Sequence, residues 1–215
     1  MDKEIAVLAD KVITIAQENG RGAGEFVEGI ASAEGDSKML SVLSELDIMT
    51  IAKIIREYDA TIPSIATWLL DADTIKKLVD VEPAYWQHEF EKGAWTAQDG
   101  AKTLLTQIFL SQSDDERQIE ILKALSQDNN GLLYLSMPFI GFDFESIDFN
   151  EEQVSGSNAE LAVKIRTLNE SVYKEVVECS RSGNLDAFEA ELIEQANRSR
   201  VGDLDEETDD MFEPI

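Results

Sequence analysis

The sequence predicts an all-α, irregular multi-helix domain. Two observations carry that assignment. Apolar residues recur at three- and four-residue intervals along most of the chain, and polar capping patterns interrupt them at short spacings. With 43% hydrophobic residues in 215, the chain can bury a core. The pattern predicts about eight to ten helices, a short non-helical or hairpin insertion near 132–153 and an acidic C-terminal tail.

Ile5, Leu8, Val12 and Ile15 share one face of a first helix. Asn19-Gly20 reads as its stop. The glycines at 20, 22, 24, 29 and 35 mark either a loop or a weak helix around Phe26, Val27 and Ile30, because an interior glycine costs about 1 kcal/mol against alanine. Met39, Leu40, Leu43 and Leu46 form the next stripe. Ile48, Ile51, Ile55 and Tyr58 continue it as one long helix or as two with a bend near Asp47. Pro63 suits a first turn, since its missing N–H is not needed there. Ile65, Trp68 and Leu69 follow it, and a short helix after Asp73 carries Ile75, Leu78 and Val79.

Glu82-Pro83 opens a helix through Trp86 and Phe90 to Gly93. Thr96 with Asp99, Ser113 with Glu116 and Ser157 with Glu160 resemble caps in which a hydroxyl and a carboxylate meet free backbone N–H groups. Behind them run Leu104, Leu105, Ile108 and Phe109; then Ile119, Leu122 and Leu125; then Leu161, Ile165, Leu168, Val172, Val176 and Cys179. Asp128-Asn129-Asn130-Gly131 reads as a helix end. The ragged alternation of Phe142, Phe144, Ile147 and Phe149 with acids suits irregular structure or a hairpin. Leu185, Phe188, Leu192 and Ala196 line a last helix. The resulting organisation is a helical body at 1–130, an apolar and acidic irregular segment at 131–156 packed on it, a C-terminal helical hairpin at 157–200, and a disordered acidic tail at 201–215, with seven acids and no base.

Charge bears most directly on function. Asp and Glu number 44 against 18 Lys and Arg, a net charge of −26. Such a chain is repelled by nucleic acid and by anionic membranes, so neither is an expected direct partner. Residues 1–123 hold 23 acids and 12 bases, whereas 124–163 contain no Lys or Arg. The partner-binding candidates are therefore Asp143, Glu145, Asp148, Glu151 and Glu152 in that stretch, with Glu175, Glu178, Asp186, Glu189, Glu191 and Glu194 on the helices that follow. Carboxylates three or four apart on a helix stand roughly 5–6 Å from one another at their bases, a row able to imitate phosphates.

Chemical motifs are sparse. One His and one Cys exclude a His cluster, an internal disulfide and a structural zinc site. His88 has Glu89 and Glu91 as neighbours, but adjacent residues on a helix do not face each other, so Glu89 is no orienter for it, and no nucleophile is identified; Cys179 reads as a packed thiol. Gly20-Arg21-Gly22-Ala23-Gly24 follows a helix and lacks the Lys-Ser/Thr of a phosphate loop. Trp68, Trp86 and Trp95 read as packing residues. No catalytic, cofactor-binding or metal residue is assigned. The N-terminus lacks the pattern of a signal peptide, and a cytoplasmic location is expected.

The leading expectation is a non-enzymatic acidic binding protein, monomer or homodimer. It would inhibit or shield a basic partner such as a nucleic-acid-binding enzyme or complex, in the manner of the nucleic-acid mimics of phages and mobile elements. Two alternatives stand beside it: an all-α assembly or scaffolding subunit whose acidity only keeps it in solution, and an enzyme with a carboxylate-based site that one sequence does not reveal.

Overall fold

The first helices assemble around small residues. α1 (Lys3–Glu18) and α2 (Gly20–Glu34) pack together, with α3 (Asp36–Leu43) and α4 (Ile48–Glu57) against them. The computed structural model describes residues 3–58, 64–86, 96–111, 114–149 and 156–209, with side chains through Ser199. Among these residues there are twelve α-helices, three 3₁₀ turns and no strand. The all-α fold is thus present, with more and shorter helices than the eight to ten expected.

The glycine-rich start of α2 is helix, not loop. Asn19 caps it by accepting the Gly22 N–H at 3.0 Å. The glycines are there for close approach. A Cβ on Gly20 would lie 2.6 Å from the Glu57 carboxylate, and one on Gly24 would lie 2.5 Å from the Tyr58 ring. The bare backbone lets Gly20 N–H donate directly to Glu57 at 2.8 Å, tying α2 to the end of α4.

Asp47 resolves the bend between α3 and α4. Its carboxylate accepts the Thr50 N–H at 2.9 Å, which starts a new helix at Ile48. Next come α5 (Ile65–Leu69), capped by Ser64, and α6 (Ala72–Val81), capped by Asp71. A 3₁₀ turn, Glu82–Tyr85, follows. The continuation toward Phe90 and Gly93, with His88 and Trp95, lies outside the described residues, as does Pro63. α7 (Ala97–Phe109) begins with the Thr96–Asp99 capping box, formed in both directions.

α8 (Asp115–Leu125) is capped by Asp114, which accepts from Arg117 N–H; Ser113, the expected cap, lies outside the described residues. The tetrad at 128–131 begins a helix where an end was expected. Asp128 accepts the Gly131 N–H at 2.8 Å and caps α9 (Asn129–Ser136). The apolar run Leu132–Leu135 is therefore helical, a correction to the irregular or hairpin reading. Two 3₁₀ turns, Met137–Phe139 and Phe144–Ser146, complete the described part of this segment.

The long stripe from Leu161 to Cys179 is broken at Asn169, whose extended backbone separates α10 (Ser157–Leu168) from α11 (Glu170–Ser182). Its side chain accepts from both Ser171 and Val172 N–H groups, so it caps α11 and does not continue α10. The expected Ser157–Glu160 box does not form: Gly156, at φ +104°, precedes α10, and Ser157 falls inside the helix. The expected hairpin is therefore three helices. α12 (Leu185–Asp209) runs nine residues past the expected tail boundary at 200; residues 210–215 lie outside the described part.

One core runs from Ala9 to Leu192. α9 lies at its centre on the C-terminal side, touching α6, α8, α11 and α12. Leu133, Tyr134 and Leu135 are buried there. Among the described residues, no helix is long and apolar enough to cross a membrane.

Candidate functional site

The candidate carboxylates occupy two surface regions. The first is the loop after α9 with the face of α11 beside it. Asp143 accepts the Glu145 N–H at 3.0 Å and sets the 3₁₀ turn, which turns Phe144 and Ile147 into the core. Phe144 meets Phe142 and Tyr173 edge-on at 5.2 and 6.1 Å between centroids, and Phe149 meets Tyr173 at 6.1 Å. A groove of about 640 Å³ opens over Phe144, Tyr173 and Val177, with Glu145 and Glu178 on its rim.

This region is acidic by count but locally compensated. Arg181 pairs with Glu145 at 3.5 Å. Lys174, also on the rim, pairs with Glu170 at 3.1 Å. The Arg166 guanidinium stacks over Phe149 at 4.1 Å. The bases that neutralise the loop come from later in the chain, on α10 and α11. Asp148 and Glu175 are exposed here, while Glu151 and Glu152 lie outside the described residues.

The second region is the outer face of α12. Leu192 and Ala196 point into the core, with Leu185 and Phe188 half-buried against it. Beside that seam runs an open groove of about 820 Å³. Its described lining is Asp186, Glu189, Ala190, Ile193, Glu194, Asn197 and Arg198. Glu194 is satisfied by Arg198 on the next turn. Glu191 points away from the groove and accepts the Asn129 amide at 2.8 Å, tying α12 to α9. Asp186 and Glu189 have no ion-pair partner among the described residues. Partial burial, with Asp186 nearby, raises the Glu189 carboxyl above its ordinary pKa.

A third cluster was not anticipated. The Glu82 carboxylate is buried and pairs with the Arg56 guanidinium, itself buried. Trp86 Nε1 donates to Glu82 Oε2 at 2.7 Å, and the Tyr134 hydroxyl donates to the same oxygen at 2.8 Å. Burial drives the Tyr134 phenol far above its ordinary range, so it stays a neutral donor. α7 comes close at Gly100, where a Cβ would lie 2.9 Å from Trp86 Nε1. Glu82 thereby joins α4 to the first 3₁₀ turn and α9. The sequence signal was slight: Glu82 stands between Val81 and Pro83, two residues after a second acid, Asp80, which pairs with Lys76.

Cys179 is half-buried, and burial raises its thiol above the usual value. Among the described residues, no three His, Cys, Asp or Glu side chains are grouped to hold a metal ion.

The chain is similar to known sequences over nearly its whole length. Residues 1–69 match the family model of the AtcB N-terminal domain, and residues 72–207 match that of the AtcB C-terminal domain. A curated relative, "Adaptation to cold protein B" of Shewanella oneidensis, is 29% identical over 136 residues, 63% of this chain and 54% of the relative. The matched stretch therefore spans about half of that protein. No solved structure matches. The two family models meet at 70–71, where the helical pattern alone marks no boundary.

Proposed function

The chain belongs to the AtcB family, and on that footing we propose that it is a non-enzymatic acidic binding protein for a basic protein partner. The observation that carries this reading is the outer face of α12, where Asp186 and Glu189 stand beside apolar surface with no described counter-cation. Like charges held together without a cation are relieved when a cationic surface arrives, and the field of a strongly acidic chain speeds that arrival. A partner whose own surface is cationic because it binds nucleic acid fits this face, and occupying that surface would shield or inhibit it.

The name of the Shewanella relative extends the proposal to growth in the cold. Association driven by charge retains its attraction on cooling, whereas association driven by apolar burial weakens as the hydrophobic term declines. The test is capture of partners from extract at low salt, repeated at about 0.5 M, where the screening length is well below that at physiological salt. Basic proteins released by salt from the native chain, but not retained at low salt by an Asp186→Asn, Glu189→Gln variant of intact fold, are the expected result. Equal capture by the variant would remove the outer face of α12 from the interface.

A further inference from the structure

The two grooves on the C-terminal half differ in what they can accept. The one over Phe144 and Tyr173 carries Lys174 and Arg181 beside Glu145 and Glu178, so its described rim is balanced. An apolar pocket between Leu40, Ile51 and Leu70 has Asp71 and Lys77 at its edge and is balanced too. The groove along α12 is not. Asp186, Glu189 and Glu194 face Arg198 alone among its described charged residues, and the Arg198 guanidinium is engaged by Glu194.

The lining also follows a helical spacing. Asp186, Glu189, Ala190, Ile193, Asn197 and Arg198 recur at three or four residues or stand adjacent, so they form one continuous stripe. Ala190 is exposed and Ile193 half-buried, giving a shallow apolar floor between acidic side chains. From Asp186 to Arg198 the stripe extends about 18 Å at 1.5 Å per residue. That is the length of about three turns of a second helix lying along it.

Resting on the acidic-binder reading above, we propose that this groove receives a basic amphipathic helix displayed by the partner protein. The apolar residues of that helix seat on Ala190 and Ile193, and its Lys or Arg side chains reach Asp186 and Glu189. Charge complementarity selects this occupant: the apolar floor provides contact area, and the uncompensated carboxylates select for cations and against acidic helices.

The test uses the full chain and three synthetic 14-residue peptides, with binding followed by fluorescence anisotropy. One peptide places Leu at helical spacing on one face and Lys on the other. The second has the same composition with the pattern scrambled, and the third is all Lys. The amphipathic peptide should bind at least about tenfold more tightly than the scrambled one. Ala190→Arg adds bulk and a cation at an exposed position, and it should abolish that preference while leaving the melting temperature unchanged. Ile193→Ser should weaken the amphipathic peptide about tenfold and the all-Lys peptide hardly at all. Because Ile193 also touches the core, Ala190→Arg is the deciding variant. Equal binding of amphipathic and scrambled peptides, or no effect of Ala190→Arg, overturns the groove while leaving a diffuse acidic binder standing. Failure of even the all-Lys peptide to bind at low salt overturns both.

Discussion

Glu82 and Glu189 are both carboxylates within the 72–207 stretch of one strongly acidic chain, and the protein treats them in opposite ways. Glu82 is sealed in the core and meets a guanidinium, an indole N–H and a phenol. Glu189 stands on the rim of an open groove, with another acid, Asp186, acting on it. The difference shows that net charge says little about where a field is available. A carboxylate whose partners are already in place contributes cohesion, and one without them remains available to a ligand. The loop at 143–149 makes the same point, because its Glu145 is met by Arg181 and its Phe149 by Arg166.

The comparison is broken most forcefully at the joint. Removing one partner of a buried pair strands the other charge, so Arg56→Ala or Glu82→Ala should each lower stability by about 3–5 kcal/mol. Urea unfolding would measure the loss. Replacing both together by Met and Leu should recover most of it, since no charge is then left alone. If each single variant costs less than about 1 kcal/mol, Glu82 is not the joint described here.

A smaller loss is expected at Arg117. Its guanidinium donates to Thr67 O at 2.6 Å and to Leu70 O at 2.7 Å, closing the end of α5 against α8. Arg117→Met keeps the length and removes the donors, and it should cost about 1–3 kcal/mol through carbonyls left unpaired in a partly buried place. Thermal melting would report it, with hydrogen exchange in α5 rising first.

On the α12 face the same kind of substitution should leave the fold nearly untouched. Asp186→Asn with Glu189→Gln should shift stability by no more than about 0.5 kcal/mol, the range usual for surface positions. Relief of repulsion favours a small gain. A loss above 2 kcal/mol would show that these carboxylates hold the body together, and the contrast with Glu82 would disappear.

The smallest effect is in pH. Burial and Asp186 raise the folded pKa of Glu189, so the folded state holds its proton more tightly than the unfolded chain. Stability contributed at this position should therefore fall as pH rises from the ordinary carboxylate range through the raised folded value. Glu189→Gln should remove that slope. Asp71 acts in the opposite direction: its carboxylate accepts from Thr74, which holds its pKa below the usual value, so its contribution is lost as pH falls through that lowered value. Stability curves of the Glu189→Gln and Asp71→Asn variants between pH 3 and 7 should diverge from the native curve in opposite senses.

How much of this was readable in advance varied with the distance of the interaction along the chain. The helices followed from apolar spacing and the Thr96–Asp99 box from side chains acting on backbone three residues away; the break at Asp47, which the stripe left open, rests on the same kind of contact. Asn169 was as local as these, yet it sits within an unbroken apolar stripe. Periodicity alone favoured continuity there, and the cap prevailed because one amide satisfies two N–H groups. The Asp128 tetrad misled for a related reason: turn residues serve equally at a helix end and a helix start, and only the Asp128 bond to Gly131 distinguishes them.

The sequence by itself determined what depends on near neighbours: an all-helical chain, most of its apolar faces, and a surface dominated by carboxylates. Only the tertiary structure decided which of those carboxylates remain uncompensated. Arg56 lies 26 positions before Glu82, Arg181 lies 36 after Glu145, and Asn129 meets Glu191 from 62 positions away. Ion pairs and buried hydrogen bonds act over a few ångströms, so their partners are chosen by packing and not by order along the chain. Asp186 and Glu189 on α12 are a residue of that choice, carboxylates to which folding brought no described ion-pair partner.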